Sequence, residues 1–171
     1  MNLRLVKAQE KYRGQIINMM EEWGSAEEKI IPYSICRLDY RDFENYCKNI
    51  EITDDSDGLV PDSTFFCLDE ERNVMVGAVN IRHRLNEKLL NDGGHIGDGV
   101  RPSERKKGIA TKMIALALEK CKELGIESVL MVCNKDNIGS AKSIINHGGI
   151  LENEIEAEGV RKQRYWIDIT G

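Results

Sequence analysis

The stretch from Gly108 to Gly149 constrains the fold more than any other part of the chain. Ile109, Met113, Leu116, Ala117, Lys120 and Leu124 recur at helical spacing, and Gly125 stands where a helix-ending glycine is expected. Ser128 to Cys133 follows as a continuous apolar run, the pattern of a buried parallel strand. Ile138 to His147 reads as a second helix, capped by Asp136 or Asn137 and ended by Gly148 and Gly149. A helix, a buried strand and a helix in such quick succession require a layered α/β architecture, because each apolar face must be covered by a neighbouring layer.

The flanking segments extend the sheet. Leu3 to Val6 reads as a strand, and Gln9 to Trp23 as a helix with Tyr12, Ile16, Met19, Met20 and Trp23 on one face and Gly24 as its end. Asp39 to Ile50 forms a second helix capped by Asp39, and residues 51–63, rich in acids and turn formers, an exposed loop. Thr64 to Leu68 and Val74 to Ile81 form a hairpin, and a polar connection with a short helix around Glu87 to Leu90 precedes Gly93, Gly94 and a strand from His95 to Val100. Leu151 to Ala157 and Arg161 to Ile169 close the chain as a hairpin around Glu158 and Gly159. The predicted class is α/β: a mixed, mostly antiparallel central sheet flanked by helices, in the order β-α-α-β-β-β-α-β-α-β-β.

A length of 171 residues with 41% hydrophobic and 31% charged side chains suits one domain, spanning 1–171. No run approaches the ~20 apolar residues of a membrane span, and the start lacks a secretory apolar stretch, so a cytoplasmic protein without a membrane partner is expected. Five cysteines without a C-x-x-C pair fit neither a disulfide framework nor a zinc site, and no metal is expected. The net charge of −5 argues against a nucleic-acid partner, whose binding rests on neutralising phosphates.

Within that acidic chain lies one basic turn. Between Arg101 and Lys112, five basic residues (Arg101, Arg105, Lys106, Lys107 and Lys112) stand against the single acid Glu104, a local charge of +4. Gly108 lets the backbone approach a ligand closely, and the first N–H groups of the following helix are unpaired and carry the positive end of its dipole. A strand, a basic glycine turn and a helix in that order form a cradle for a pyrophosphate. The turn matches neither G-x-x-x-x-G-K-[ST] nor G-x-G-x-x-G.

Arg105, Lys106, Lys107, Gly108, Ile109 and Ala110 resemble the [QR]-x-x-G-x-[GA] acetyl-coenzyme A signature of the GNAT superfamily of N-acetyltransferases. The lead-in Val100, Arg101, Pro102 resembles the end of that family's fourth strand, and Asn137, Ser140 and the Gly148, Gly149 pair resemble its later helix. The resemblance implies a GNAT-like fold and transfer of an acetyl group from acetyl-coenzyme A to a primary amine by direct attack. It also implies pyrophosphate binding by Arg105, Lys106, Lys107, Gly108, Ile109, Ala110 and Thr111, a thioester partner in the Val100 backbone, and pantetheine contacts from Asn137 and Ser140. The acceptor class is a small-molecule, peptide or protein amine, weakly biased toward cations by the acids of residues 51–63. A non-catalytic acyl-coenzyme A binding or sensing module is the alternative.

Catalytic groups are less specified. His95, which titrates near neutrality, and Asp98, on the opposite parity of the same strand, are the candidate bases. Many relatives carry a tyrosine as general acid where this chain has Ile144, leaving Tyr165, Tyr33 or water to protonate the thiolate. Cys133 reads as core packing. The C-terminal edge strand offers a surface for pairing in a homodimer.

Overall fold

The computed structural model describes residues 1–170. Strand β1 (Leu3–Val6) leads through a 3-10 turn into helix α1 (Arg13–Ser25) and then α2 (Phe43–Asn49). The hairpin β2 (Asp62–Asp69) and β3 (Val74–Arg82) is joined by a short α3 (Glu87–Asn91) to β4 (Ile96–Val100). Helix α4 (Ile109–Glu123), β5 (Ser128–Asn134), α5 (Ile138–Asn146) and the hairpin β6 (Ile150–Ala157) and β7 (Val160–Asp168) complete the order. This is the expected mixed α/β arrangement.

The strands form two antiparallel sheets, ordered β1-β2-β3-β4 and β5-β7-β6. The parallel reading of Ser128 to Cys133 is therefore corrected: Val129 lies opposite Ile167 and Met131 opposite Tyr165 in an antiparallel pair. Val129, Leu130 and Met131 are all buried, so the apolar run reflects burial on both faces of β5 and not the direction of its neighbour.

The sheets are joined at His95. Its N–H donates to the Leu130 carbonyl at 2.8 Å, and the Leu130 N–H donates to His95 Nδ1 at 2.9 Å, beside an isolated bridge between Gly94 and Met131. From there toward Val100, β4 and β5 belong to different sheets, and the cleft between them is the framework of the site.

Helices α1 and α2 cover one face, where Ile16, Met20, Trp23 and Tyr46 pack with Phe66 and Ala78. Helices α4 and α5 cover the other, where Met113, Ala117 and Ile144 pack with Val79, Ile96 and Met131. On α4 the buried residues are Ile109, Met113, Ile114, Ala117, Leu118 and Cys121, while Leu124 is 40% exposed. The helix touches β1, β3, β4 and α5 at once, so its apolar stripe is wider than the narrow face expected.

Two boundaries also differ from expectation. Helix α1 continues through Gly24 to Ser25, with nothing crowding that glycine. Helix α2 begins at Phe43, because Asp39 Oδ1 accepts the Arg41 N–H at 2.9 Å in a turn of its own and does not cap the helix.

Arg101, counted above with the ligand-facing cations, points inward. Its Nε donates to Glu22 at 2.8 Å, its Nη1 to the Met75 carbonyl at 3.1 Å and its Nη2 to Asn18 at 2.6 Å, tying α1 to β3. Arg101→Met is expected to lower the unfolding free energy by about 2 kcal/mol in a urea melt, because it leaves hydrogen-bonding partners of a buried charge unmet. A loss below about 0.5 kcal/mol would show that the clamp contributes little.

No helix among the described residues is long and apolar enough to cross a membrane, and none of their His, Cys, Asp and Glu side chains form a group of three suited to a metal ion.

Candidate functional site

The chain leaves β4, makes a 3-10 turn at Pro102–Glu104, and enters α4 through two residues of positive φ, Lys106 at 62° and Gly108 at 79°. Such alternation turns successive N–H groups toward one point. Gly108 stands at the N-cap position without a capping side chain. The N–H groups of residues 106–111 donate to no acceptor among the described residues; pairing resumes with the Lys112 N–H on the Gly108 carbonyl at 3.4 Å. A run of unpaired donors at the positive end of a 15-residue helix is an anion cradle made by backbone alone.

The cradle opens into a groove of about 510 Å³ between β4 and α5. Asp98, Gly99 and Val100 form one wall and Asn137, Ser140 and Ser143 the other, while Trp23 and Ile31 close it from the N-terminal side. The Asn137 side chain caps α5 by accepting the Ser140 N–H at 3.1 Å, and the hydroxyls of Thr111 and Ser143 are hydrogen-bonded at 2.8 Å. The Arg101 N–H donates to Val76 on the β3 side, so strand alternation turns the N–H and carbonyl of Val100 to the open side, where the carbonyl accepts from Arg105 Nε at 3.2 Å. A second depression of about 480 Å³, between β1 and the end of α4, has no comparable cradle of backbone donors.

The structure thus brings Asp98, Val100, Arg105, Lys106, Gly108, Ile109, Ala110, Thr111, Asn137 and Ser140 to one groove. Lys107 does not line it, since its Nζ donates to the buried Glu104 at 2.7 Å, a carboxylate shared with Arg72. Arg105 lines the groove but is paired with Glu28, with its guanidinium 6.0 Å from the Trp23 ring. Ile144 is fully buried in α5 and lies outside the groove.

Tyr165 is not brought to the groove either. It is 4% exposed within the α4–α5 core, and its hydroxyl donates to Gln163 at 2.8 Å. Tyr33 sits on the surface and lies outside the groove lining. His95 is 6% exposed and pins the two sheets; Nδ1 is occupied by the Leu130 N–H, so the neutral ring carries its proton on Nε2 and has no free acceptor nitrogen. Burial, aided by the nearby Arg82 charge, pushes its pKa down to about 4. The geometry gives His95 the work of a joint.

Asp98 has the reverse character. It is half-buried in the groove wall, without an ion-pair partner among the described residues. Burial pushes its pKa up to about 6, against the opposing pull of Arg82. A carboxylate poised near neutrality beside a cleft suits proton transfer.

The sequence reading missed the contribution of Trp23, Glu28 and Ile31. A Cβ on Gly99 would fall inside the Ile31 carbonyl, so the segment before α2 rests directly on β4 and needs glycine there. Helical spacing marks Trp23 only as a core residue, and no periodic or motif signal marks Glu28 or Ile31. Of the acids in residues 51–63, Glu51 pairs with Lys7, Asp55 with Arg84 and Asp62 with Arg37, Asp54 bonds Ser56, and none of the five lines the groove.

An anion cradle of backbone donors thus stands beside the split between β4 and β5. The family model for the acetyltransferase (GNAT) family matches residues 19–143. The chain belongs to the acetyltransferase (GNAT) family and is an N-acetyltransferase by that membership. Solved structures agree in fold. A ribosomal L7/L12 alpha-N-protein acetyltransferase in complex with coenzyme A superimposes with a TM-score of 0.68 at 16% identity, covering 99% of this chain and 95% of that one. A spermidine N-acetyltransferase mutant from Vibrio cholerae gives 0.64 at 18% identity, covering 98% and 95%. No curated protein matches significantly by sequence.

Proposed function

We propose that the protein transfers the acetyl group of acetyl-coenzyme A to a primary amine by direct attack within a ternary complex. The observation that carries this reading is the run of unpaired N–H groups at residues 106–111, opening onto a groove beside Asp98. In this reading the backbone from Lys106 to Thr111 binds the pyrophosphate, and Arg105 exchanges Glu28 for it. Lys107 contributes only longer-range charge. Asn137 and Ser140 border the pantetheine. The Val100 N–H, turned to the open side, polarises the thioester carbonyl as an oxyanion donor.

Asp98 then accepts the amine proton, directly or through water, and water protonates the departing thiolate. No acyl-enzyme is needed. Cys133, 8% exposed with its thiol pushed up in pKa by burial, serves as packing. We take residues 1–171 as one such domain working in the cytosol on a small-molecule, peptide or protein amine, without nucleic acid or membrane.

Gly108→Val tests the cradle, because a β-branched residue resists the left-handed backbone at φ 79°. Calorimetry is expected to show acetyl-coenzyme A binding weakened by about 1 to 3 kcal/mol, from distortion of the turn and loss of donor contacts. Unchanged affinity would refute the assignment of the cradle. Release of free thiol from acetyl-coenzyme A across an amine library tests the transfer itself.

A further inference from the structure

The face of β4 opposite α4 carries a charge that the mechanism above leaves unused. Arg82, the last residue of β3, lies across β4 at Gly97, with Nη2 3.1 Å from the position a Cβ would take there. Nη1 donates to the carbonyls of Gly93 at 3.2 Å and Gly94 at 3.3 Å. These contacts fix the guanidinium where β4 parts from β5. Nε and Nη2 donate to no acceptor among the described residues, and the side chain is only half-buried.

Nor does a carboxylate within that set form an ion pair with it. Asp62, its register partner, is held by Arg37 at 3.2 Å, and Asp92 by Lys162 at 2.9 Å. The other nearby acid is Asp98, which likewise has no ion partner there. Gly97 and Gly99 alternate with Asp98 along the strand, so β4 itself puts no side chain over the guanidinium at Gly97. Thr64 and Asn80, buried and hydrogen-bonded to each other at 3.0 Å, continue the same face inward.

An unpaired cation beside the strand that presents the thioester is complementary to a carboxylate carried by the acceptor. We propose that the acceptor is a small carboxylate-bearing amine, an α-amino acid or a close analogue, whose carboxylate is held by Nε and Nη2 of Arg82 where β4 parts from β5. This rests on the acetyl-transfer reading and adds the acceptor class to it. A guanidinium edge offers two parallel donors to a carboxylate and repels a polycation. The site therefore selects amino acids over polyamines.

The test uses matched acceptors in a thiol-release assay: the proteinogenic L-amino acids, the decarboxylated counterparts phenethylamine, isopentylamine and cadaverine, and spermidine. At least one amino acid is expected to exceed its decarboxylated counterpart by roughly tenfold in kcat/KM, as a charge-assisted pair allows. Arg82→Ala should bring that ratio close to unity through KM, and Arg82→Lys should restore part of it. A purely structural role through Gly93 and Gly94 would lower both acceptors equally. Equal losses, or decarboxylated amines and spermidine preferred by the wild type, would overturn the proposal.

Calorimetry on the coenzyme A-loaded protein reads the carboxylate site apart from turnover. Amino-acid binding that disappears in Arg82→Ala supports the site even where no amine is acetylated, a result that would refute acetyl transfer alone. Absence of such binding in the wild type overturns the Arg82 assignment and leaves the cradle standing.

Discussion

Asp98→Asn is expected to lower kcat/KM by roughly 10²-fold or more while making the protein more stable at neutral pH. An alkylamine with a pKa near ~10.4 is almost wholly protonated at pH 7, so a group beside the thioester must take up a proton. Asp98 lies in the groove wall with its pKa pushed up to about 6 by burial. The wild-type kcat/KM should therefore rise with pH through about 6 as the carboxylate ionises. The asparagine variant should lack that limb. The stability effect has the opposite sign: a raised folded-state pKa contributes stability that is present below the ordinary aspartate value and lost as pH rises through about 6. At pH 7 the variant escapes that loss and should gain about 1 to 3 kcal/mol, with no gain near pH 3. His95 shifts oppositely, down to about 4, so its contribution is present above the ordinary histidine value and lost as pH falls through about 4. A limb retained in Asp98→Asn would assign the proton to another group.

The cradle was legible in the sequence because it depends on local features. A strand, a basic turn, Gly108 and an amphipathic helix are contiguous, and backbone N–H groups need no particular side chain to point correctly. The proposed proton acceptor was only half legible, since His95 and Asp98 are three residues apart on one strand and sequence does not say which lines the groove. His95 has the pKa range of a base in water, but its ring nitrogen serves the Leu130 N–H across the joint between sheets, a contact of long sequence separation. Tyr165 lost its candidate role for the same kind of reason, being enclosed by α4 and α5. Arg82 and Gly97 were not legible as a pair. Their proximity follows from the β3–β4 register, in which Asn80 faces Gly97 and Arg82 comes to lie diagonally across it.

Gly94→Val should cost more stability than any other substitution considered, by about 4 kcal/mol or more. Gly94 has φ of 67°, where a β-branched residue is strained by roughly 1 to 2 kcal/mol. A Cβ there would also fall on the Leu130 carbonyl, which is backbone and cannot swing aside. That carbonyl accepts the His95 N–H, so displacing it breaks the paired bonds that join the sheets and shifts the Gly94 carbonyl from Arg82. Domains of this size are stable by only about 5 to 15 kcal/mol, and a loss of this order should appear as a large fall in the urea midpoint. Gly14→Ala is the control: in α1, with nothing within 4 Å of the added carbon, it should stabilise by up to about 1 kcal/mol. Gly93→Ala falls between them, since φ of 108° strains it but its Cβ meets only the flexible end of Leu89 at 3.1 Å. If Gly94→Val melts within about 1 kcal/mol of the wild type, the joint is not what holds the sheets together. The split between β4 and β5 would then owe its shape to the helices packed across it, and acetyl-coenzyme A affinity should be insensitive to Gly94 as well.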